Sequence, residues 1–272
     1  MTPSDLPPLR EVIRTHSLNA RKSLGQHFLL DLNLTERIVR AAGDLTDCHV
    51  IEVGPGPGGL TRALLNSPAL TVTVVEKDDR CLAIMEDLKN AYGDRLKIVS
   101  GDALETDIPV LTSPPRKIIA NLPYNAGTPL LLRWLREIDA YHGLTLMFQT
   151  EVADRLVAKP RTKAYGRLSV ITQWLCEVHS AFKVPKEAFT PPPNVTSTVS
   201  NLTPRPAPLN SVSFEALETV TATAFGQRRK MLRASLKSLD LDLASLKIEP
   251  TARAEELSIL DFCNLANALV ES

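Results

Sequence analysis

The chain carries no net charge, few cysteines and no long apolar run, and each lack removes a class of function. Among its 272 residues, Lys plus Arg number 31 and Asp plus Glu number 31. No global field therefore favours a polyanionic partner, and a nucleic-acid surface has to come from local clustering. The four cysteines, Cys48, Cys81, Cys176 and Cys263, are far apart and form no Cys-x-x-Cys. That spacing argues against a disulfide framework or a zinc site and predicts reduced, buried thiols. No apolar stretch reaches the roughly 18 residues of a membrane span. The first twenty residues, interrupted by Pro3, Pro7 and Pro8 and charged at Asp5 and Glu11, lack the apolar core of a secretory signal, so a cytoplasmic location is expected. The five histidines show no ligand spacing, and no metal is expected.

What is present is an ordinary globular composition, 44% hydrophobic and 23% charged, in a length that suits one large domain with a small appendage. Residues 1–20 read as a loose extension. Helical spacing begins at Leu34, Ile38 and Ala41. Strand-like and helix-like segments then alternate: strands at Val50–Val53, Thr71–Val75, Leu96–Val99, Lys117–Ala120 and Leu144–Phe148, helices at Arg80–Leu88 and Pro129–Ile138. Such alternation implies a parallel sheet covered by helices on both faces. Gly54, Glu76, Asp102 and Asn121 all fall at predicted strand carboxyl ends, where sheets of this kind bind ligands. A helix at Gly166–Cys176 and strands at Val178–Val184 and Val195–Leu202 complete a domain over 21–202. The proline-rich TPRPAPLNSV, 203–212, reads as a linker, and 213–272 as a helical C-terminal domain. There is no internal repeat.

Val50–Thr61 (VIEVGPGPGGLT) runs from a strand into a glycine-rich turn and a helix. Glycines at 54, 56 and 58 let the backbone approach a ligand. Their G-x-G-x-G spacing is not the dinucleotide pattern, and no Gly-Lys-Ser/Thr of a P-loop follows. Glu76 is placed to accept ribose hydroxyls and Asp102 an adenine amine. A nucleoside cofactor without a pyrophosphate fits this set. A plain structural turn remains the alternative for the loop taken alone.

Ile118–Asn125 (IIANLPYN) is the most specific feature. Its N-L-P-Y resembles the Asn/Asp-x-Pro-Tyr/Phe motif of amino-group methyltransferases. Together with RKSLGQHFL (Arg21–Leu29), IEVGPGPG, KAYGRLSV (Lys163–Val170), AFTPPPNVTS (Ala188–Ser197), AFGQRRKMLRASL (Ala224–Leu236) and RAEELS (Arg253–Ser258), it is similar to the KsgA-type adenine dimethylases of small-subunit ribosomal RNA over nearly the whole chain. The resemblance implies an α/β, Rossmann-like methyltransferase sheet with a small all-helical C-terminal domain. It implies S-adenosyl-L-methionine as cofactor, held by residues including His27, Leu29, Gly54, Glu76, Asp102 and Asn121. Family members commonly carry Asn where this chain has His27. The adenine amine is a poor nucleophile because its lone pair is delocalised into the ring. The Asn121 side-chain oxygen and the Leu122 carbonyl can accept its hydrogens and align it, Pro123 stiffens the turn, and Tyr124 offers a stacking face for an extruded base. Phe189 resembles the second aromatic wall.

Basic residues cluster twice, at Arg155, Lys159, Arg161, Lys163 and Arg167 and at Arg228, Arg229, Lys230, Arg233 and Lys237. On a helix, Arg229, Arg233 and Lys237 share one stripe and Leu232, Leu236 and Leu239 another, giving a packed side and a phosphate-binding side. The expected activity is dimethylation of N6 on two adjacent adenosines in the 3′-terminal hairpin loop of 16S rRNA in 30S particles or their precursor, by a monomer. Two alternatives stay open: a large-subunit rRNA adenine dimethylase, and a ribosome-assembly factor that has lost catalysis.

Overall fold

The computed structural model describes residues 3–20 and 26–271, without the side chains of Ser4 and Glu271. Arg21–Gly25, the first part of the RKSLGQHFL block, lies outside the described residues. The elements run α1 (Leu9–Thr15), β1 (Phe28–Leu29), α2 (Leu32–Ala41), β2 (His49–Val53), α3 (Gly59–Leu65), β3 (Thr71–Glu76), α4 (Asp79–Tyr92), β4 (Leu96–Ser100), β5 (Arg116–Asn121), α5 (Gly127–Arg136), β6 (Gly143–Gln149) and α6 (Thr150–Val157). There follow α7 (Arg167–Leu175), β7 (Cys176–Val184), β8 (Phe189–Thr190), β9 (Ser197–Pro204), α8 (Phe214–Gly226), α9 (Leu232–Ser235) and α10 (Ile259–Glu271).

Seven strands form one sheet in the order β4-β3-β2-β5-β6-β9-β7. The pairs from β4 to β6 are parallel and β9 runs antiparallel to β6. The central strands are apolar on both faces, with Val50, Ile51, Val72, Val74, Ile118, Ile119 and Leu146 at 0% exposure, as a sheet covered on both sides requires. Helix α4 buries Cys81, Ile84, Met85 and Leu88, the three-and-four spacing of one helical face. Its N-cap, Asp78, accepts a hydrogen bond from the Arg80 backbone N–H. The chain winds from β2 outward to β4 and then returns to the other side of β2 at β5. The carboxyl ends of β2 and β5 therefore flank a crevice.

The expectation of a loose segment at 1–20 is corrected for residues 3–20. α1 buries Leu9 and Val12, and Leu18 is 2% exposed. Arg62 on α3 donates to the Pro7 carbonyl at 2.7 Å, and Arg80 donates to the Asn19 carbonyl at 2.9 Å. Two helical turns after a proline pair carry too little periodicity to be read, and it is these tertiary contacts that hold the segment.

The domain boundaries also differ. The chain divides into one unit of Met1–Ala153 with His179–Thr203 and a second of Asp154–Val178 with Pro204–Ser272. α7 leaves the expected 21–202 domain because its apolar face packs on α8 and α10. The expected linker 203–212 begins inside β9, and beyond it is irregular but tied down. Arg205 and Leu209 donate backbone N–H groups to the carbonyls of Leu175 and Trp174, and the Trp174 indole donates to the Asn210 carbonyl. In the second unit Phe225 stacks on Phe262 at 5.3 Å and meets Tyr165 edge-on at 6.0 Å.

The expected helix carrying Arg229, Arg233 and Lys237 is not formed. Arg229 lies in a turn, Met231 is extended and bridges Arg253, and the Leu232 and Arg233 N–H groups go to the carbonyls of Ala252 and Pro250. Only Leu232–Ser235 is α-helical, so the three cations share no stripe. All four cysteines are buried and none forms a disulfide. Among the described residues no helix is long and apolar enough to cross a membrane.

Replacing Leu9 and Val12 together by alanine is expected to cost about 3–6 kcal/mol of stability, read from urea unfolding. A midpoint equal to that of the parent chain would show that α1 is not part of the core.

Candidate active site

Four strand ends converge on the crevice. Gly54 follows β2 at φ +70°, and Gly58 caps α3 at φ +86°. An alanine Cβ at Gly58 would lie 2.8 Å from Leu88 Cδ1, and one at Gly59 only 2.6 Å from the Leu29 carbonyl oxygen. The loop thus has room for neither side chain, and β1 presses directly on the start of α3.

A cavity beside the loop is lined by Gln26–Leu29, Glu52, the glycine turn, Glu76, Lys77 and Asn121–Tyr124. A second cavity, sharing Gly54, Glu76, Lys77 and Pro123 with the first, reaches Asp102, Ala103 and Leu104. Glu76 ends β3 at 7% exposure. Its Oε1 accepts the backbone N–H groups of Lys77 and Asp78 at 2.8 and 2.9 Å. Burial raises its pKa, opposed by bonds from the Asp78, Lys77 and Gly56 N–H groups. Asp102 accepts the Leu104 N–H and pairs with the Lys77 ammonium at 3.0 Å, and these two bonds hold its carboxyl below the usual range.

Asn121, the last residue of β5, donates Nδ2 to the His27 carbonyl at 3.3 Å. A carbonyl only accepts, so the amide is oriented with Oδ1 left as its acceptor. Leu122 is 2% exposed. The Tyr124 hydroxyl meets Ser197 Oγ at 2.8 Å, and burial raises its pKa. His27 and Leu29 reach the site because β1 pairs with β8, Phe28 opposite Thr190 and Leu29 opposite Phe189.

Phe189 is corrected. It is 2% exposed and packs in the main core with Phe28 and Val184, and it lines neither cavity. The ring that meets Tyr124 is His27, centroids 5.2 Å apart and tilted 34°, with Phe189 edge-on behind it at 6.5 Å. His27 Nδ1 is 2.8 Å from the Pro191 carbonyl and must carry the hydrogen.

The profile of the family described as "Ribosomal RNA adenine dimethylase" matches residues 17–271. The chain belongs to this family. It is 62% identical over 270 residues, 98% of this chain and 96% of the other, to the ribosomal RNA small subunit methyltransferase A of Paramagnetospirillum magneticum. Among solved structures it is similar to a dimethyladenosine transferase from Plasmodium falciparum, with a TM-score of 0.76 at 25% identity, covering 88% of this chain and 96% of that one. It is also similar to the 23S rRNA methyltransferase ErmE, with a TM-score of 0.66 at 26% identity, covering 89% and 99%.

As a ribosomal RNA adenine dimethylase the chain is an S-adenosylmethionine-dependent enzyme, and the residues present fit that cofactor. The glycine turn would give close approach, the buried Glu76 carboxylate would accept ribose hydroxyls, and Asp102 borders the adjoining cavity. Sequence reasoning missed Gln26, Phe28, Glu52, Gly59 and Lys77. Glu52 alone gave a signal, as an acid inside the apolar strand HVIEV.

Gln26 is held by Asp78, whose Oδ2 accepts its amide at 3.1 Å and pairs with Arg80 at 2.6 Å. These bonds, the Arg80 bond first, lower Asp78 to about 2 from an ordinary 3.8. The folded pKa is depressed, so the stabilisation is complete above about pH 4 and lost as pH falls through about 2. Asp78→Asn should cost about 2 kcal/mol at neutral pH, with the gap closing on acidification. A gap independent of pH would refute the ion-pair origin.

Proposed function

We propose that this enzyme dimethylates the N6 amine of two adjacent adenosines in the 3′-terminal hairpin loop of 16S rRNA, acting on small-subunit particles. The observation carrying this is the Asn121 amide. Its nitrogen is committed to the His27 carbonyl, so its oxygen is the group available to an incoming amine.

The cofactor supplies an electrophilic methyl group on a sulfonium. The chain supplies position. Asn121 Oδ1 and the Leu122 carbonyl accept the two N6 hydrogens, which fixes the nitrogen and draws its lone pair out of conjugation as the new bond forms. Positive charge growing on that nitrogen is stabilised by the same two oxygens. Pro123 keeps the turn rigid. Tyr124, braced by Ser197, provides the face for a base taken out of its stack.

Small-subunit specificity is favoured over large-subunit specificity by the relatives. The identity is 62% to an enzyme named for the small subunit, against 26% to one named for 23S rRNA. An assembly factor without catalysis is disfavoured because Gly54, Glu76, Asp102 and the N-L-P-Y turn are all in place.

The RNA-contact set proposed is Arg155, Arg161, Lys163, Arg229, Arg233 and Lys237, all exposed and all in the second unit. Arg228 leaves the set. It pairs with Glu255 at 3.0 Å and donates to the carbonyls of Lys163 and Tyr165, so it fastens the unit together.

Methyl transfer to unmethylated 30S particles should reach two methyl groups per target adenine, with 50S particles inert. Asn121→Ala should lower kcat by about 10²–10³-fold, and an unchanged rate would overturn the mechanism. Charge reversal at Arg229 and Arg233 should weaken particle binding at low salt and lose its effect at high salt. Equal binding at every salt concentration would remove them from the surface.

A further inference from the structure

His27 enters the mechanism above only through its carbonyl, yet its half-buried side chain is tied into the same turn from two directions. The first is a hydrogen bond. Nδ1 donates to the Pro191 carbonyl at 2.8 Å. β1 and β8 pair antiparallel, Phe28 opposite Thr190 and Leu29 opposite Phe189, and that register carried one step further sets His27 opposite Pro191. A proline has no N–H, so it makes no claim on the His27 carbonyl, which is left to accept the Asn121 amide at 3.3 Å. The imidazole bonds the Pro191 carbonyl from a side chain instead. A ribbon of two residue pairs is weak by itself, and this bond fastens the end that carries the catalytic turn's acceptor.

The second direction is a ring contact. The imidazole and Tyr124 centroids lie 5.2 Å apart at a tilt of 34°, and Phe189 meets the imidazole edge-on at 6.5 Å. Rings in contact have centroids about 4.5–7 Å apart, so no base fits between His27 and Tyr124. A base stacked on Tyr124 uses its other face, with His27 behind the ring. The segment that follows β8 therefore braces Tyr124 at both ends. Pro191 holds the imidazole, and Ser197 Oγ meets the Tyr124 hydroxyl at 2.8 Å.

We propose that the His27 side chain is a positioning residue for methyl transfer. Its bond to Pro191 fixes the carbonyl that orients Asn121, and its ring sets the angle of Tyr124. This rests on the roles given to Asn121 and Tyr124 above. It differs from the cofactor contact that the family resemblance implies for His27, because a cofactor contact governs affinity for the cofactor, whereas a positioning residue governs kcat.

Three substitutions separate the two contacts. His27→Asn keeps a side-chain N–H at the reach of Nδ1 and removes the ring. His27→Phe keeps a ring and removes the donor, and His27→Ala removes both. The measurements are kcat for methyl transfer to unmethylated 30S particles at saturating cofactor, and the Kd of S-adenosylhomocysteine by titration calorimetry. His27→Ala should lower kcat about 10²-fold, and the other two about tenfold each, while Kd stays within about twofold of the parent in all three. In an Asn121→Ala background His27→Phe should cost less than about twofold, because the lost bond acts through that amide. A normal kcat in His27→Ala would overturn the proposal, as would His27→Asn or His27→Phe no faster than His27→Ala. Weakened S-adenosylhomocysteine with kcat unchanged, or binding lost in all three variants, would make His27 a cofactor contact and overturn it too. An undiminished effect of His27→Phe beside Asn121→Ala would break the link to the amide. Asn121→Ala at the parent rate would overturn the mechanism and this inference with it; a slow Asn121→Ala beside a normal His27→Ala overturns this inference alone.

Discussion

The hydrogen bond from Asn121 Nδ2 to the His27 carbonyl is the constraint on which the site depends. It orients the amide and leaves Oδ1 as the acceptor that the proposed mechanism uses, whereas a reversed amide would present a donor. The carbonyl is itself fixed by distant parts of the chain. β1 is held by its pairing with β8, and its Leu29 carbonyl sits against Gly59 with no space for a side chain. A reaction accelerated by placement needs this kind of support, since a small displacement of the acceptors would cost much of the rate.

The electrostatics suit a cationic ligand and oppose a pyrophosphate. Three acids, Glu52, Glu76 and Asp102, border the two cavities, and each is kept tolerable differently. Asp102 has a lysine, Glu76 has backbone N–H groups from its own turn and the glycine loop, and burial pushes the Glu52 carboxyl up to about 8. A dinucleotide would add phosphate charge to this set. A sulfonium with an ammonium arm instead brings positive charge to a site bordered by carboxyl groups.

Much of this was legible because its physics is local. Apolar runs ending on Gly, Glu, Asp and Asn place four strands and put four candidate site residues at their carboxyl ends, and the N-L-P-Y turn follows the strand at which the winding switches to the other side of β2. What stayed hidden depends on contacts distant in sequence. Phe189 looks like a base-stacking ring until the β1–β8 ribbon turns it into the core and sets His27 against Tyr124. Arg229 and Arg233 have helical spacing from Lys237, but the backbone of 231–233 finds better partners at 250–253. Arg228 is a cation in a basic run, and only the fold reveals that Glu255 and two carbonyls already occupy it.

The zero net charge, which at first argues against RNA, hides local clusters in two units that are each close to balance, with 18 basic and 20 acidic residues in the first and 13 basic and 11 acidic in the second. The acids lie where a small cation has to be held, and the basic run from Arg155 to Arg167 and the group from Arg228 to Lys237 fall entirely in the other unit. Phosphate contact sets register on an RNA without reading a base, whereas a base is read by acceptors and a stacking face. A surface that contacts phosphate can therefore tolerate sequence change, while a pocket that reads a base is geometrically exacting. The clusters stand out only locally, because opposite charges within the same unit offset them, so the distribution of charge and not its total bears on the proposed RNA contact.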